Sequence, residues 1–395
     1  MIKKIFYIPL VLSLIILSGC AEDDITLDTS DSINLTETST SSEEPAEEDS
    51  DTTDSSSNST ESDESSTANG ILYLVSSTAG KIYRYNDISS LTDESEPDIT
   101  ITSTHFDRPK FVVFNDETDT LYVSNEQANN VLIFENLSSL EGEITPDRIL
   151  TSEYFDQVTY VALDKENDEL YVVNMALGSS MSGTSEGSIV VFENASTVNG
   201  EVIPNRTITS DPEFFSPHGI AIDTKSNTLY VADTNNCKVK IFDKASTLNG
   251  KHSPDRVLHN PKASNLTECS EDDKLMSQPI DFQILPETDT LILGTRDGNS
   301  MFIYDCENGD DCASTIDGFT PPTREISGDN TTLYNAHQIY YHQERDEFYV
   351  ANLFDKTFLI FRDFSKLDGD VSPDVTITVD DGEERICGVA VDLTR

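Results

Sequence analysis

The sequence has no tryptophan and few basic residues, and these shortages narrow the functions open to the protein. Its 395 residues include 73 acidic and 25 basic ones, which gives a formal net charge of −48. A chain of this charge repels phosphate backbones and anionic lipid headgroups, which argues against nucleic acid as a partner. The absence of tryptophan lowers the case for a carbohydrate-binding surface.

Long apolar runs are also scarce, and the one clear run lies at the start of the chain. Residues 5–17 are almost unbroken apolar and follow Lys3 and Lys4. The run is too short for a stable membrane span, so it is interpreted as a removable signal. It ends in Leu17-Ser18-Gly19-Cys20, which resembles the lipobox of bacterial lipoproteins.

The lipobox resemblance implies cleavage before Cys20 and attachment of lipid to that residue. Residues 1–20 are therefore expected to be a lipoprotein signal peptide, and the protein to be exported and held at the cell envelope by lipid. The residue after Cys20 is Ala21 rather than Asp, which resembles the signals that direct lipoproteins to the outer membrane in cells with two membranes. The alternative is an ordinary secretory signal with an incidental cysteine.

Residues 21–69 are rich in Ser and Thr and contain 16 acidic residues but no Lys or Arg. Such a stretch buries too little apolar surface to fold, so we expect a disordered linker. The remaining residues, 70–395, are expected to be one folded domain, a monomer. They contain 57 acidic and 23 basic residues, a net charge of −34.

A repeat of four strand-like segments runs through residues 70–395. Its clearest copy comprises His218–Asp223, Asn227–Asp233, Lys238–Asp243 and a segment from Pro254, each β-branched or aromatic and bounded by turn residues. Second segments recur at Thr120–Asn125, Glu169–Asn174, Thr290–Thr295 and Glu347–Asn352. Third segments begin at Val131, Ile189, Met301 and Phe358, and fourth segments at Pro146, Pro204, Pro322 and Pro373. Four strands per repeat predict the blades of a β-propeller.

The two ends of the domain complete one blade. Ile71–Val75 is a second-strand segment without a first strand, and Gly388–Asp392 is a first strand without the rest. The sequence therefore predicts an all-β, six-bladed propeller closed by a shared blade, which removes the exposed sheet edges that an open array would leave. Insertions are expected at Leu177–Gly187 and Pro261–Lys274.

The repeat from His218 to Phe242 resembles the NHL-repeat family of propellers. The resemblance implies the fold over the whole of residues 70–395 and says little about function. Related propellers include ligand-binding modules, protein-interaction platforms, lactonases and lyases.

Propeller ligands usually lie at the mouth of the central channel, where the first strands of all blades begin. The aligned channel-lining residues are Lys110, Thr159, His218, Ile280, His337 and Cys387. His105 precedes Lys110, so three histidines fall on alternate blades. Three imidazoles with an open position suit a Zn²⁺ or another divalent cation.

This arrangement resembles peptidylglycine α-amidating lyase, a propeller with three metal-binding histidines on alternate blades. The resemblance implies His105, His218 and His337 as metal ligands. The catalytic tyrosine of that family is missing, because the matching loop runs from Asn125 to Asn129. The other reading is that these histidines line the channel or lie in a loop without metal.

Six cysteines are present, and export permits disulfides. With Cys20 assigned to lipid, Cys306 and Cys312 are the most plausible pair, and Cys237 with Cys269 the next. Cys387 then remains as a buried thiol.

Other acidic residues suit turns better than catalysis. Asp164, Asp223, Asp233 and Asp392 follow strands and are expected to cap turns. Asp281 and Asn335 are partial candidates for a lactonase-type ion site.

The sequence contains no nucleophile elbow, phosphate loop or zinc-protease motif. We therefore expect a binding module that recognises an unknown protein or small ligand at one face of the propeller. A metal-dependent lyase or hydrolase is the second hypothesis, and a purely structural envelope protein is the third.

Overall fold

The computed structural model describes residues 69–175, 186–259, 278–306, 312–379 and 385–395. The strands, in chain order, are β1 (Ile71–Ser76), β2 (Lys81–Tyr85), β3 (Ile99–Thr102), β4 (Pro109–Asn115), β5 (Thr120–Asn125), β6 (Asn130–Glu135), β7 (Gly142–Glu143), β8 (Arg148–Thr151), β9 (Val158–Asp164), β10 (Glu169–Asn174), β11 (Ser188–Glu193), β12 (Gly200–Glu201), β13 (Arg206–Ser210), β14 (Pro217–Asp223), β15 (Thr228–Asp233), β16 (Lys238–Asp243), β17 (Gly250–His252), β18 (Arg256–His259), β19 (Pro279–Leu285), β20 (Thr290–Thr295), β21 (Ser300–Tyr304), β22 (Arg324–Ser327), β23 (Ala336–His342), β24 (Glu347–Asn352), β25 (Thr357–Arg362), β26 (Val375–Thr378) and β27 (Ile386–Asp392). The described 3-10 helices are Ile88–Ser90, Leu137–Ser139, Thr234–Asn236, Ala245–Thr247, Asp329–Thr331 and Phe364–Lys366. In these parts of the chain no helix is long and apolar enough to cross a membrane.

The strands form six sheets, each with four main strands, and each sheet is one blade of a propeller. Blades 1 to 6 are β27-β1-β2-β3, β4-β5-β6-β8, β9-β10-β11-β13, β14-β15-β16-β18, β19-β20-β21-β22 and β23-β24-β25-β26. The innermost strands contact one another in the order β27, β4, β9, β14, β19 and β23, and β23 contacts β27 again. The predicted all-β, six-bladed propeller is therefore confirmed.

The blade shared by the two ends of the domain is also confirmed. Strand β27 pairs with β1 in antiparallel register, with Ile71 opposite Asp392 and Leu72 opposite Val391. Hydrogen bonds between the first and last described strands therefore close the ring.

Apolar side chains fill the spaces between neighbouring blades. Successive residues of a strand face opposite sides of its sheet. Leu72 and Leu74 accordingly pack toward blade 6, whereas Tyr73 and Val75 pack toward blade 2. Equivalent clusters lie between the other neighbouring blades. Burial of a Leu or Val contributes roughly 1.5–3 kcal/mol, so these interfaces are the main source of the domain's stability.

The fourth strands begin later than predicted. They start two residues after Pro146, Pro204, Pro322 and Pro373. The residue after each proline is occupied in a turn: the Asp147 side chain accepts a hydrogen bond from the backbone N–H of Glu135 at 2.8 Å. Arg148 then begins the strand and donates to the carbonyl oxygens of Ala195 and Val198 in the next blade.

Several predicted features lie outside the described residues. They are the signal peptide with Cys20, the linker except for Asn69, the Pro261–Lys274 insertion, and all of the Leu177–Gly187 insertion except Glu186 and Gly187. These remain predictions.

Candidate functional site at the channel mouth

The innermost strands bring six aligned residues to the same level of the propeller. Lys110, Thr159, His218, Ile280, His337 and Cys387 are all buried. The backbones are in close contact here, because a Cβ atom on Gly219 would lie 2.5 Å from the Ile280 carbonyl oxygen. A Cβ on Gly388 would lie 2.6 Å from the Lys110 carbonyl oxygen. Glycine is thus required at these two positions, where the neighbouring inner strand comes too close for a side chain.

A left-handed residue precedes five of the inner strands. Arg108, Gln157, Ser216, Gln278 and Asn335 have φ between 56° and 66°. This conformation costs a non-glycine residue roughly 1–2 kcal/mol.

The left-handed turn holds the start of the first strand against the end of the second strand in the same blade. Backbone N–H groups of Glu126 and Leu353, which follow second strands, donate to the carbonyl oxygens of Arg108 and Asn335, each at 3.0 Å. The residues that follow the second strands are Ser77, Glu126, Met175, Thr234, Arg296 and Leu353, and all are buried. We call this region the channel mouth. It consists of the residues that follow the second strands, the five left-handed residues and the six aligned first-strand residues.

A buried cation lies within the channel mouth. The Lys110 side chain is fully buried, and its Nζ donates to Oε1 of Glu126 at 2.6 Å. Glu126 Oε2 in turn lies 3.1 Å from Nη2 of Arg108. Burial lowers the pKa of Lys110 below its ordinary value, and the charge of Glu126 opposes that effect only in part. Two cations therefore share one carboxylate, which leaves a positive surplus.

The two buried histidines are neutral and share one tautomer. His218 Nδ1 lies 3.1 Å from the Ser216 carbonyl oxygen, and His337 Nδ1 lies 2.8 Å from the Cys387 carbonyl oxygen. A carbonyl oxygen only accepts, so the proton is on Nδ1 and Nε2 carries the lone pair. Burial, and then the charge of Lys110, holds the pKa of His218 well below its ordinary range and lowers the pKa of His337 to about 3.

The three histidines do not fit the metal site that the lyase resemblance implies. His105 is exposed, and its backbone carbonyl, rather than its ring, is tied to Asn125. Among the described residues, only Asp289, Cys306 and Cys312 place three possible ligand atoms within 4.8 Å of one another. Those two cysteines form a disulfide, so they supply no thiolate. The charge of Lys110, which acts on both His218 and His337, also opposes a metal cation there.

The partial lactonase candidates have different surroundings. Asp281 is buried, and its oxygens accept from Tyr160 Oη at 2.6 Å and from the Ile339 N–H at 2.9 Å. Burial raises the pKa of Asp281 to about 7. Because protein donors occupy both oxygens, Asp281 ties together blades 3, 5 and 6. Asn335 belongs to the channel mouth.

Several buried polar atoms of the channel mouth have no hydrogen-bond partner among the described residues. They include Ser77 Oγ, Arg108 Nε, Thr159 Oγ1, Ser216 Oγ, Gln278 Oε1 and Asn335 Oδ1. Buried polar atoms are nearly always paired with protein, water or ligand. Their concentration at one end of the channel indicates a place for bound polar groups.

The cysteine predictions have mixed outcomes. The predicted Cys306–Cys312 disulfide is present, with sulfur atoms 2.03 Å apart. Cys237 is disulfide-bonded, but Cys269 lies outside the described residues, so their pairing stays a prediction. The expectation of a free thiol at Cys387 is wrong, because Cys387 is also disulfide-bonded. Short sequence separation thus identified the Cys306–Cys312 pair, but the remaining cysteines could not be assigned in this way.

Predicted turn caps are confirmed at three of the four acids that follow strands. Asp164 accepts from the N–H of Asn167, and Asp223 accepts from the N–H groups of Lys225 and Ser226. Asp392 accepts from the N–H of Thr394. Asp233 does not cap the turn that follows it; it accepts from the N–H of Phe215 and pairs with Lys240.

Exposed aromatic side chains stand beside the left-handed residues. Phe215 precedes Ser216 and is 52% exposed, and Tyr334 precedes Asn335 and is 49% exposed. Tyr334 contacts Phe354, with ring centroids 5.1 Å apart. The guanidinium groups of Arg296 and Arg385 each lie 5.9 Å from the Phe354 centroid. Aromatic and arginine side chains of this kind are enriched at protein interfaces.

Residues 214–242 match the model of the NHL repeat. The matched stretch covers β14, β15 and most of β16 in blade 4, where the sequence resemblance was seen. The protein is thus a six-bladed propeller with an NHL repeat, an architecture that suggests a protein-binding or interaction module. No curated protein matches the chain.

Solved structures of low sequence identity share this fold. A protein of unknown function from Bacteroides caccae has 10% identity and a TM-score of 0.51, with 82% of this chain and 98% of that chain covered. A functionally unknown protein from Desulfotomaculum acetoxidans DSM 771 has 12% identity and a TM-score of 0.50, with 82% and 98% covered. A chain of the nidogen–laminin complex has 14% identity and a TM-score of 0.52, with 82% and 99% covered.

Sequence alignment identified Lys110, His218 and His337 but missed the groups that surround them. Arg108, Glu126 and Arg296 precede first strands or follow second strands. The equivalent positions in other blades hold residues such as Gln157, Met175 and Leu353. The repeat itself was a usable signal. Each first-strand or second-strand motif fixes the position of the residue just before or just after it, and these residues lie at the channel.

Proposed function

We propose that the protein is an exported, lipid-anchored propeller that binds a protein or small ligand at its channel mouth. The main supporting observation is the set of buried polar atoms beside the buried, cationic Lys110 that have no hydrogen-bond partner among the residues the structure describes. The exposed Phe215 and Tyr334 add apolar area around them. A chain of the nidogen–laminin complex has the same fold, so the architecture is compatible with protein binding.

Capture of partners from envelope extracts tests the binding function. The full-length protein, purified in detergent, is compared with a variant carrying Phe215→Ala and Tyr334→Ala. We expect the wild type to retain a reproducible partner and the double variant to lose most of it. Ile203→Ala is the matched control, because Ile203 is 68% exposed but lies between β12 and β13, away from the channel mouth. Equal retention by all three proteins contradicts binding at this face.

Lipid anchoring has a separate test. Cys20→Ser should move the protein from the membrane fraction to the soluble fraction and abolish labelling by a radioactive fatty acid. Labelling that survives the substitution contradicts anchoring through Cys20.

A further inference from the structure

We propose that the channel mouth binds a carboxylate group on Lys110. The carboxylate belongs to a small organic acid or to an acidic side chain or chain end of a protein partner. This inference rests on the proposed function and names the chemistry of its ligand.

The first argument is the incomplete hydrogen bonding of Lys110. An ammonium group has three N–H donors. Within the described parts of the chain, Glu126 is the single hydrogen-bond acceptor of Lys110, although that lysine is fully buried. Buried charges are normally paired and fully hydrogen-bonded, because the loss of hydration is costly. The other two donors therefore have no acceptor among the described residues. A ligand carboxylate that reaches Nζ would supply one, and it is the strongest acceptor among common organic groups.

Two buried hydroxyl groups give support that does not depend on Lys110. Thr159 and Ser216 are 0% and 2% exposed, and neither hydroxyl has a hydrogen-bond partner in the described parts of the chain. Thr159 is aligned with Lys110 in the first strands, and Ser216 is one of the left-handed residues, like Arg108. Hydroxyl groups can donate to a carboxylate oxygen, so the mouth offers neutral donors beside its cations.

The third argument is the local charge. Lys110, Arg108 and Glu126 together carry one positive charge, within a domain whose net charge is −34. Arg296 adds positive potential, since its charge acts on Lys110 and both buried histidines. Asp297 Oδ1 lies 3.5 Å from Arg296 Nε and offsets that charge, so these five groups together carry one positive charge. One carboxylate balances this surplus, whereas a phosphate dianion exceeds it.

Thermal unfolding of the full-length protein tests the proposal with sodium lactate as the probe. Unfolding is followed by far-UV circular dichroism, because the protein has no tryptophan whose fluorescence could report it. We expect lactate to raise the melting temperature with saturation, above the effect of sodium chloride at equal ionic strength. Glycerol, which is uncharged, and sodium phosphate should not reproduce the shift. A response no larger than that of sodium chloride overturns the proposal.

Two variants assign the binding to Lys110. Lys110→Met should weaken lactate binding about tenfold or more, the loss expected for a charged hydrogen bond. The exposed Lys165→Met is the control and should respond like the wild type. Glu126→Gln removes the competing carboxylate and should strengthen binding, which gives a second readout if Lys110→Met fails to fold. An unchanged response in Lys110→Met, or a weaker one in Glu126→Gln, contradicts the proposal.

Competition separates the two sources of the carboxylate. If lactate releases a captured partner, the partner supplies the carboxylate. If lactate binds without releasing it, the site holds a free acid; both results support a carboxylate site. Failure of lactate, with partner capture still dependent on Phe215 and Tyr334, overturns this inference and leaves the proposed function standing.

Discussion

Two buried lysines of the propeller differ in how completely their charges are satisfied. In blade 4, Lys240 Nζ lies 2.8 Å from Asp233 Oδ2 and donates to the carbonyl oxygens of Pro212 and Glu213. At the channel mouth, Lys110 donates to Glu126 alone among the described residues. Both lysines pair with an acid at or just after the end of a second strand. The saturated pair is explained by stability, whereas the unsaturated one is better explained by binding.

The largest effect is expected at the saturated pair. Lys240→Met should lower the free energy of unfolding by about 3–5 kcal/mol, because Asp233 is left buried and unpaired. Urea unfolding followed by circular dichroism measures this. The control is Lys165→Met, whose exposed ion pair with Asp116 is worth less than about 1 kcal/mol. A loss at Lys240 no larger than that of the control contradicts its structural role.

A smaller loss is expected for Glu126→Gln. The substitution leaves Lys110 without its charged partner and should cost about 1–3 kcal/mol in urea unfolding. Addition of sodium lactate should restore part of the stability by binding the folded state. Stability that lactate does not change breaks the proposed link between Glu126 and the ligand.

Lys110→Met should cost less than about 1 kcal/mol, although Lys110 is as deeply buried as Lys240. The variant removes a charge whose burial is costly, and Glu126 keeps Arg108 as a partner at 3.1 Å. The same urea experiment measures it. A loss as large as that of Lys240→Met indicates that Lys110 is structural and removes the contrast between the two sites.

The smallest expected effect concerns the buried carboxyl group of Asp281. It changes how steeply the free energy of unfolding depends on pH. Its folded pKa of about 7 lies above the ordinary value of 3.8, so its stabilising contribution is complete below pH 3.8. The contribution decreases as pH rises toward 7 and is constant above that. Asp281→Asn should flatten the decline of stability between pH 4 and 7.

The exposed Asp147→Asn serves as the control for this pH profile and should leave it unchanged. An Asp281→Asn profile that declines as steeply as the wild type contradicts the raised pKa of Asp281.

The repeated motifs were sufficient to predict the propeller. Segments such as Thr120–Asn125 and Glu347–Asn352 match the observed second strands at both ends, because alternation and turn residues are local properties. The fourth strands were misplaced by two residues, since the residue after each proline is held in a turn by a neighbouring strand.

The candidate site was predictable only in part. Alignment placed Lys110 and His218 at one level, because every blade repeats the same geometry. It did not identify Glu126 as the partner of Lys110, since only the starts of the first strands were compared and Glu126 follows a second strand. It also led to a metal interpretation of His105, whose side chain is exposed.

The most direct test of the carboxylate site is a crystal structure of the full-length protein grown with sodium lactate. The account predicts a lactate carboxylate oxygen at about 2.7–2.9 Å from Lys110 Nζ, the usual distance of a charge-assisted hydrogen bond. Water alone at Lys110, with lactate elsewhere or nowhere, would contradict it.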